Sequence, residues 1–313
     1  MTTRPWRTSE RRRGRDARVG PRTLSAACCG LLSVWAVVAA GPTAASPPPP
    51  PSGGYWLAAS NGGVLGFGSA VSYGSAAGGT LNAPIVGITA SADGKGYWTA
   101  AADGGVFSYG DALFMGSMGG THLNAPVVGI AAADSEQGYW LVASDGGVFT
   151  FGSARFMGSM GGAHLNAPIV GIAATPDGGG YWLVGSDGGI FAYGDAKFLG
   201  STGAMHLNKP VVGMAADPTS DGYWLVAADG GIFNFGAPYY GSLGYIPQVP
   251  TIVGMAPSAD GGGYWLAAAD GEVFFIDVPS FNTDVYGCLQ RPIVGMAATS
   301  VPPVAAWPIC RPG

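Results

Sequence analysis

The chain has 313 residues, of which 55 are glycine and 24 are proline, and 48% are apolar while only 11% are charged. This composition excludes a charged, disordered polypeptide and argues against long helices, because glycine and proline are the residues that least favour a helix. Aromatic side chains make up 11% of the chain. They supply ample apolar surface to bury, so we predict a β-rich globular body.

Charge is distributed unevenly along the chain. Residues 1–45 contain eight of the 14 basic residues and two of the 19 acidic ones, which leaves 6 basic and 17 acidic residues in 46–313. The net charge of this larger part is therefore 6 − 17 = −11. We do not expect a nucleic-acid ligand for so acidic a body, because phosphate binding requires clustered lysine and arginine.

Residues 1–45 have the organisation of a secretory signal peptide. An arginine-rich head precedes the 17 apolar and small residues from Leu24 to Ala40, and cleavage is predicted after Ala45. The alternative is an uncleaved membrane anchor, since this run is short but could still form a spanning helix. Residues 46–53 follow as a stiff proline-rich linker. The remaining chain is therefore expected to be secreted or displayed at the cell surface, and to meet the membrane only if the segment stays uncleaved.

An internal repeat organises residues 54–300. A Gly-Tyr-Trp triplet recurs six times, at a spacing of 42 residues four times and then 41. Its tryptophans are Trp56, Trp98, Trp140, Trp182, Trp224 and Trp265. The apolar runs between these triplets are short and are separated by Asp-Gly, Gly-Ser and Asn-Ala-Pro, which are typical of turns and strand starts. The repeat therefore predicts short strands.

Each copy is predicted to contribute four short antiparallel strands. Around Trp182 the first is 167–174, the second 181–184 and the third 190–193, with an Asp-Gly-Gly turn between the last two. A weaker fourth strand is expected at 197–200. Four antiparallel strands in about 42 residues, without helices, are typical of a propeller blade. We therefore predict an all-β fold, a six-bladed β-propeller over residues 54–300.

Residue types indicate the order of strands within a blade. The Tyr-Trp-Leu-Val strand is apolar at every position, which predicts that both of its faces are covered. The Ile-Val-Gly strand is made of small residues and is placed innermost, where the blades converge. Copy one lacks such a strand, whereas 292–296 form a surplus one after copy six. We predict that this last strand completes the first blade and closes the propeller, which removes exposed sheet edges.

The cysteines are consistent with an oxidising compartment. Cys28 and Cys29 would leave with the signal peptide, so Cys288 and Cys310 remain as a pair. A disulfide between them would tether the C-terminal tail, residues 301–313, to the closing strand. Closing a loop of that size stabilises a protein by roughly 3 kcal/mol.

The repeat resembles units known from exported bacterial proteins. The segment 175–184, Thr-Pro-Asp-Gly-Gly-Gly-Tyr-Trp-Leu-Val, resembles the turn and apolar pair of secreted YVTN-type and WD40-like β-propeller repeats. The whole unit is similar to Gly-Tyr-Trp/Asp-Gly-Gly repeats of high-GC Gram-positive bacteria, which stand alone or beside cell-wall-acting enzymes. The resemblance covers residues 54 to about 300. It implies a surface or secreted propeller and carries over no catalytic residue, because no matching enzyme domain accompanies the repeats.

Three histidines, His122, His164 and His206, recur at the repeat spacing and are the only candidates for a metal site. Three histidines near an axis could hold zinc, but nitrogens that share one zinc lie about 3.5 Å apart, whereas equivalent positions on a sixfold ring are one ring radius apart. The three histidines are explained more simply as an exposed or capping residue that was duplicated together with the repeat. The recurring aspartates, such as Asp187, suit tight turns and form no dense oxygen cluster for calcium. We expect no metal and no cofactor.

The repeat pattern breaks in copies five and six, and a candidate ligand patch lies there. In copy five a different segment replaces the Gly-Gly-x-His-Leu-Asn loop, and the tyrosines of this region are Tyr239, Tyr240 and Tyr245. No nucleophile elbow, metalloprotease motif or phosphate-binding loop occurs in the chain.

Two classes of function follow. We expect a monomeric, non-catalytic binding scaffold at the cell envelope, which holds a cell-wall polysaccharide or an extracellular protein on one propeller face. The alternative is a secreted hydrolase or lyase with its active site at the propeller funnel. A catalytic funnel should gather acidic and basic side chains around one pocket, whereas a binding platform should display tyrosine and neutral polar groups.

Overall fold

The structure is a computed structural model that describes residues 53–133, 138–281 and 291–299. The chain divides into two units, Met1–Pro48 and Pro49–Gly313, and all described residues lie in the second. The predicted signal peptide, most of the linker, Cys288, Cys310 and the tail therefore lie outside the described residues. Within those residues no helix is long and apolar enough to cross a membrane.

The described residues form β-strands and no helix, as the composition predicts. The strands are β1 (Gly54–Ala59), β2 (Val64–Gly68), β3 (Ile85–Ala90), β4 (Gly96–Ala101), β5 (Val106–Gly110), β6 (Val127–Ala132), β7 (Gly138–Ala143), β8 (Val148–Gly152), β9 (Ile169–Ala174), β10 (Gly180–Gly185), β11 (Ile190–Gly194), β12 (Val211–Ala216), β13 (Tyr223–Ala227), β14 (Ile232–Phe235), β15 (Ile252–Pro257), β16 (Tyr264–Ala268), β17 (Val273–Ile276) and β18 (Ile293–Thr299).

These strands make six sheets of three antiparallel strands each. We number the sheets in chain order: sheet 1 is β18-β1-β2, sheet 2 is β3-β4-β5, sheet 3 is β6-β7-β8, sheet 4 is β9-β10-β11, sheet 5 is β12-β13-β14 and sheet 6 is β15-β16-β17. The middle strand of every sheet carries the Tyr-Trp pair. In each sheet, one partner of the middle strand carries an Ile-Val-Gly or Val-Val-Gly sequence. We call these the inner strands: β3, β6, β9, β12, β15 and β18.

The surplus strand at the end of the repeats pairs with the first copy. In β18, Ala298 lies opposite Tyr55 and Met296 lies opposite Leu57 of β1. Sheet 1 is therefore assembled from segments that are more than two hundred residues apart. The hydroxyl of Thr299 in β18 also donates to the carbonyl of Gly94, in the turn between β3 and β4 of sheet 2.

The prediction of a fourth strand at 197–200 is wrong, because this segment is irregular. Its backbone groups bond to side chains and not to a neighbouring strand. The carbonyl of Lys197 accepts a hydrogen bond of 2.8 Å from the indole of Trp182, and the N–H of Leu199 donates to the hydroxyl of Tyr223 at 3.1 Å. A backbone that is satisfied by side chains does not require a strand ladder.

The hydrophobic core lies between neighbouring sheets. All six tryptophans and all six tyrosines of the triplets are at most 1% exposed, which confirms the predicted burial of both faces of the middle strand. Each tryptophan contacts the tyrosine of the next sheet, as Trp140 does with Tyr181 at 5.3 Å between ring centroids. The same contact joins sheet 6 to sheet 1, where Trp265 lies 5.4 Å from Tyr55. Every described sheet therefore shares its apolar surface with two others.

The inner strands contact one another in chain order, and β18 also contacts β3. Their glycines make the close approach: a Cβ on Gly129 would lie 3.6 Å from the Cα of Gly171, and one on Gly295 would lie 3.7 Å from the Cα of Gly87. These distances leave room for a methyl group and for little more. The small residues of the inner strands thus match the crowding that was expected of their position.

Burial of the triplet tyrosines predicts a limit to stability at high pH. Desolvation raises the pKa of Tyr139, Tyr181 and Tyr223, and it raises the pKa of Tyr264 from 10.0 to about 12. The unfolded chain therefore releases these protons first, so the contribution of all four is lost as the pH rises above the ordinary range of tyrosine. For Tyr264 it is fully present below a pH of about 10 and is lost as the pH rises toward about 12.

We expect alkaline unfolding in which the part of the tyrosinate absorbance that comes from the buried triplet tyrosines appears together with the loss of far-ultraviolet circular dichroism. Acid should not act through these groups. Full ionisation of tyrosine at pH 11 with unchanged circular dichroism would contradict the burial that the structure gives these side chains.

Candidate functional site

A cavity of about 390 Å³ lies at the carboxyl ends of the inner strands, and all six of these strands line it. Isoleucine and methionine form its apolar part, and threonine and serine add hydroxyl groups: Ile88, Ile130, Ile172, Met255, Met296, Thr89, Ser91, Ser258 and Thr299. No acidic or basic side chain is among the described residues that line it. The described part of the chain therefore gathers no acid and base around this cavity of the kind that a catalytic funnel needs.

The carboxylates near the cavity are held by turns. The hydroxyl of Ser91 lies within hydrogen-bond distance of both Asp93, at 3.0 Å, and Asp111, at 3.2 Å, and Lys95 bonds to Asp93 at 2.9 Å. Hydrogen bonds from Lys95 hold the pKa of Asp93 well below its usual range. A carboxyl group that is ionised in this way at neutral pH does not serve as a general acid.

The recurring aspartates of the hairpin turns have the structural role that the sequence predicts. Asp187 accepts a hydrogen bond of 2.8 Å from the N–H of Gly189. Between them Gly188 has a φ of 77°, which favours glycine. The same contact recurs at Asp103, Asp145, Asp229 and, with asparagine, at Asn61.

The three tyrosines of the predicted ligand patch face different surroundings. Tyr239 and Tyr245 are 55% and 80% exposed. Tyr240 is half-buried, its hydroxyl donates to the carbonyl of Gly261 at 2.6 Å, and its ring lies 5.8 Å from that of Tyr264. Tyr240 therefore belongs to the contact between sheets 5 and 6, while the other two present their rings to solvent.

The histidines lie on three separate loops. His122, His164 and His206 are exposed and precede β6, β9 and β12, respectively. In the part of the chain that the structure describes, no group of three or more His, Cys, Asp or Glu side chains could hold a metal ion.

The Tyr-Trp pair also donates hydrogen bonds to the backbone of irregular segments, which was not predicted from the sequence. The indole of Trp140 donates to the carbonyl of Arg155 at 2.8 Å, 15 residues later. The hydroxyl of Tyr181 donates to the carbonyl of Gly158 at 2.6 Å, 23 residues earlier. In the second to sixth copies the pair thus holds the irregular segment that follows its own sheet and the one that precedes it. The available signal was the spacing in the sequence. The glycine lies 23 residues before the tyrosine, and the exposed loop residue lies 15 or 14 residues after the tryptophan.

Sequence analysis also missed a series of exposed rings at one position of the repeat. We call Phe114, Phe156, Phe198 and Tyr239 the outer aromatic row; each follows the last strand of its sheet, from sheet 2 to sheet 5. Their exposed fractions are 57%, 62%, 60% and 55%. Serine stands at this position in the first and last copies, as Ser72 and Ser280. Aligning the copies by their tryptophans, with one residue fewer after the tryptophan in copies five and six, would have shown this row.

The described residues thus offer two candidate surfaces, a neutral cavity at the ends of the inner strands and the outer aromatic row. Neither carries an arrangement of side chains that defines a reaction. Comparison with known proteins adds no assignment, because no protein-family model and no curated protein matches the sequence.

Proposed function

We propose that the protein is a monomeric, non-catalytic binding scaffold at the cell envelope, and that its six sheets form a closed six-bladed β-propeller. In this proposal one surface of the propeller holds a cell-wall polysaccharide or an extracellular protein. Export depends on residues 1–45, whose order of basic, apolar and small residues is that of a signal peptide.

Closure of the propeller is supported by contacts between the two ends of the repeat. β18 pairs with β1, Trp265 packs on Tyr55, and β18 also contacts β3. An open stack would instead leave the apolar faces of its first and last sheets uncovered. Because the apolar faces of sheets 1 and 6 cover each other, each of the six sheets is covered on both sides.

A single observation carries the proposal of binding. Large aromatic rings are exposed at the surface, whereas the aromatic rings of the core are fully buried. Tyr245 is 80% exposed and Phe156 is 62% exposed, whereas the triplet rings are at most 1% exposed. A single exposed ring is common on proteins, but several large exposed rings on one body support a role in interaction. The neutral lining of the cavity gives further support, since its hydroxyls and apolar groups suit contact with a ligand better than proton transfer.

The proposal is tested by sedimentation of the full chain with insoluble cell envelopes of a high-GC Gram-positive bacterium. We expect saturable binding and no release of soluble sugar or peptide from the envelopes. A globular protein of similar net charge is the control for trapping. Absence of saturable binding would overturn the binding function, and release of soluble fragments would overturn its non-catalytic character.

A further inference from the structure

The outer aromatic row is the strongest feature outside the core that the fold does not explain. Its members are apolar rings that are more than half exposed. A scattered exposed ring is common on proteins, but these four occupy one position in four successive sheets.

The backbone that carries the three phenylalanines of the row is fixed on both sides, and that of Tyr239 is fixed on the preceding side. Before Phe156, the carbonyl of Arg155 accepts a hydrogen bond of 2.8 Å from Trp140. After it, the N–H of Met157 donates to Tyr181 of the next sheet at 3.3 Å. Because Trp140 and Tyr181 are fully buried, Phe156 is presented from a rigid segment, and little conformational entropy is lost when it meets a ligand.

The other rings are carried in the same way. Trp98 and Tyr139 hold the residues that flank Phe114, at 2.8 and 3.2 Å. Trp182 and Tyr223 hold those that flank Phe198, at 2.8 and 3.1 Å. At Tyr239 the indole of Trp224 donates to the preceding carbonyl at 2.6 Å.

The repeat contains its own evidence that packing does not require these rings. Ser72 occupies the position in the first copy, where the carbonyl of Val71 still accepts a hydrogen bond of 2.8 Å from Trp56. Ser280 occupies it in the last copy, next to a carbonyl that accepts from Trp265 at 3.0 Å. The local backbone contacts therefore form without an aromatic side chain, and the rings need another explanation.

Charge indicates what kind of ligand meets the row. Residues 46–313 contain 6 basic and 17 acidic residues, so the body repels polyanions. Of the cations that precede rings of the row, Lys197 is paired with Asp221 at 2.6 Å, and Arg155 is exposed beside Phe156. A neutral ligand whose C–H groups stack on the electron-rich face of a ring fits this surface best.

The distribution of the rings favours a polymer. Each ring stands on a different sheet, whereas a globular protein partner is usually held by a contiguous cluster of well-packed residues. A long neutral chain or network can instead contact several separate rings at once, and it gains avidity from their number.

We propose that the outer aromatic row is a multivalent binding surface for a neutral polysaccharide of the cell envelope, in which each ring stacks on a sugar. This inference rests on the proposed function, since it names the ligand class and the residues of that binding surface. The row contributes several weak contacts, and strong attachment requires that more than one ring is engaged.

The test compares the full chain with the variant Phe114→Ser/Phe156→Ser/Phe198→Ser/Tyr239→Ser on envelopes treated with protease to remove protein. Serine is the residue of the first and last copies, so circular dichroism and thermal stability should stay close to those of the unchanged chain. We expect Phe156→Ser alone to weaken binding by about fivefold and the fourfold variant to weaken it by at least about a hundredfold.

Phe275→Ser is the matched control, because Phe275 is a ring that is 51% exposed but lies on β17, outside the row. It should bind as the unchanged chain does. Periodate, which cleaves sugars with neighbouring hydroxyl groups, should abolish binding. Raising the salt concentration from about 0.05 to about 0.5 M should change it less than twofold, because stacking on a neutral ligand is not screened.

Several results would overturn this inference. If the fourfold variant binds the envelopes as tightly as the unchanged chain, the row is not the surface, although the proposed binding function stands. Loss of row-dependent binding after protease treatment would identify a protein partner, and a tenfold loss in high salt would identify a charged polymer. Failure of the unchanged chain to bind untreated envelopes would overturn the proposed function itself.

Discussion

Replacement of Trp140 by alanine is expected to lower the free energy of unfolding by about 3–5 kcal/mol. The side chain is fully buried between sheets 3 and 4, and its ring lies 5.3 Å from that of Tyr181. The substitution would leave a cavity, and the carbonyl of Arg155 would lose its hydrogen-bond donor. Because whole domains are stabilised by only about 5–15 kcal/mol, this single change should remove a large part of the stability.

Urea unfolding, followed by far-ultraviolet circular dichroism, measures this effect. Phe156→Ala is the matched control, because it also removes an aromatic ring but from an exposed position close to Arg155. We expect it to change stability by less than about 0.5 kcal/mol. If the Trp140→Ala variant retained stability within about 1 kcal/mol of the unchanged chain, the core between the sheets would not be the source of stability that we describe.

Ile293→Ala is expected to destabilise the protein as much as Ile169→Ala does, by about 2–5 kcal/mol in each case. Ile293 lies in β18 and is 1% exposed, and Ile169 is the equivalent residue of β9 and is fully buried. If the propeller is closed, β18 is as integral to the fold as a strand from the middle of the chain. In an open arrangement the last strand would fray, and a change in it would matter little.

Parallel urea titrations of the two variants make this comparison. The expected result is a pair of midpoints that agree closely and that both lie well below the midpoint of the unchanged chain. A normal midpoint for Ile293→Ala, beside a strongly lowered one for Ile169→Ala, would contradict closure of the propeller while leaving sheets 2 to 6 intact.

Much of the fold could be predicted from local pattern. Uninterrupted apolar residues in the middle strand indicate that two faces are covered, and Trp182 and Tyr181 are indeed fully buried. Asp-Gly-Gly predicts a tight turn, and Asp187 accepts the hydrogen bond that this turn requires. These features depend on a few neighbouring residues, and the repetition of the pattern makes each of them easier to recognise.

Local sequence pattern was not sufficient to decide whether each copy forms a fourth strand. The segment around Lys197 and Leu199 is a short run that contains two apolar residues, yet its polar backbone groups bond to Trp182 and Tyr223. These partners are distant in sequence, and Tyr223 belongs to the next sheet. Local propensity contains no information about such partners, so the pattern overestimates the number of strands.

The candidate site shows the same limit. Tyr239 and Tyr240 are neighbours in sequence and were placed together in one patch, but only Tyr239 is strongly exposed. Tyr240 donates to the carbonyl of Gly261 and packs on Tyr264. In an irregular segment no helix or strand period indicates which side chain faces outward, so exposure depends on what the neighbouring sheet places against it.

Composition, repeat length and turn residues were sufficient for the β class, the number of copies and the burial of the Tyr-Trp pair, because strand formation and burial of apolar runs are local consequences of side-chain chemistry. The surplus last strand also predicted the pairing of β18 with β1, which the structure confirms. Contacts between sheets settled the irregular path after each third strand and the outward direction of the outer aromatic row. These properties arise from hydrogen bonds and packing between residues far apart in sequence, which form only when neighbouring sheets are already in place.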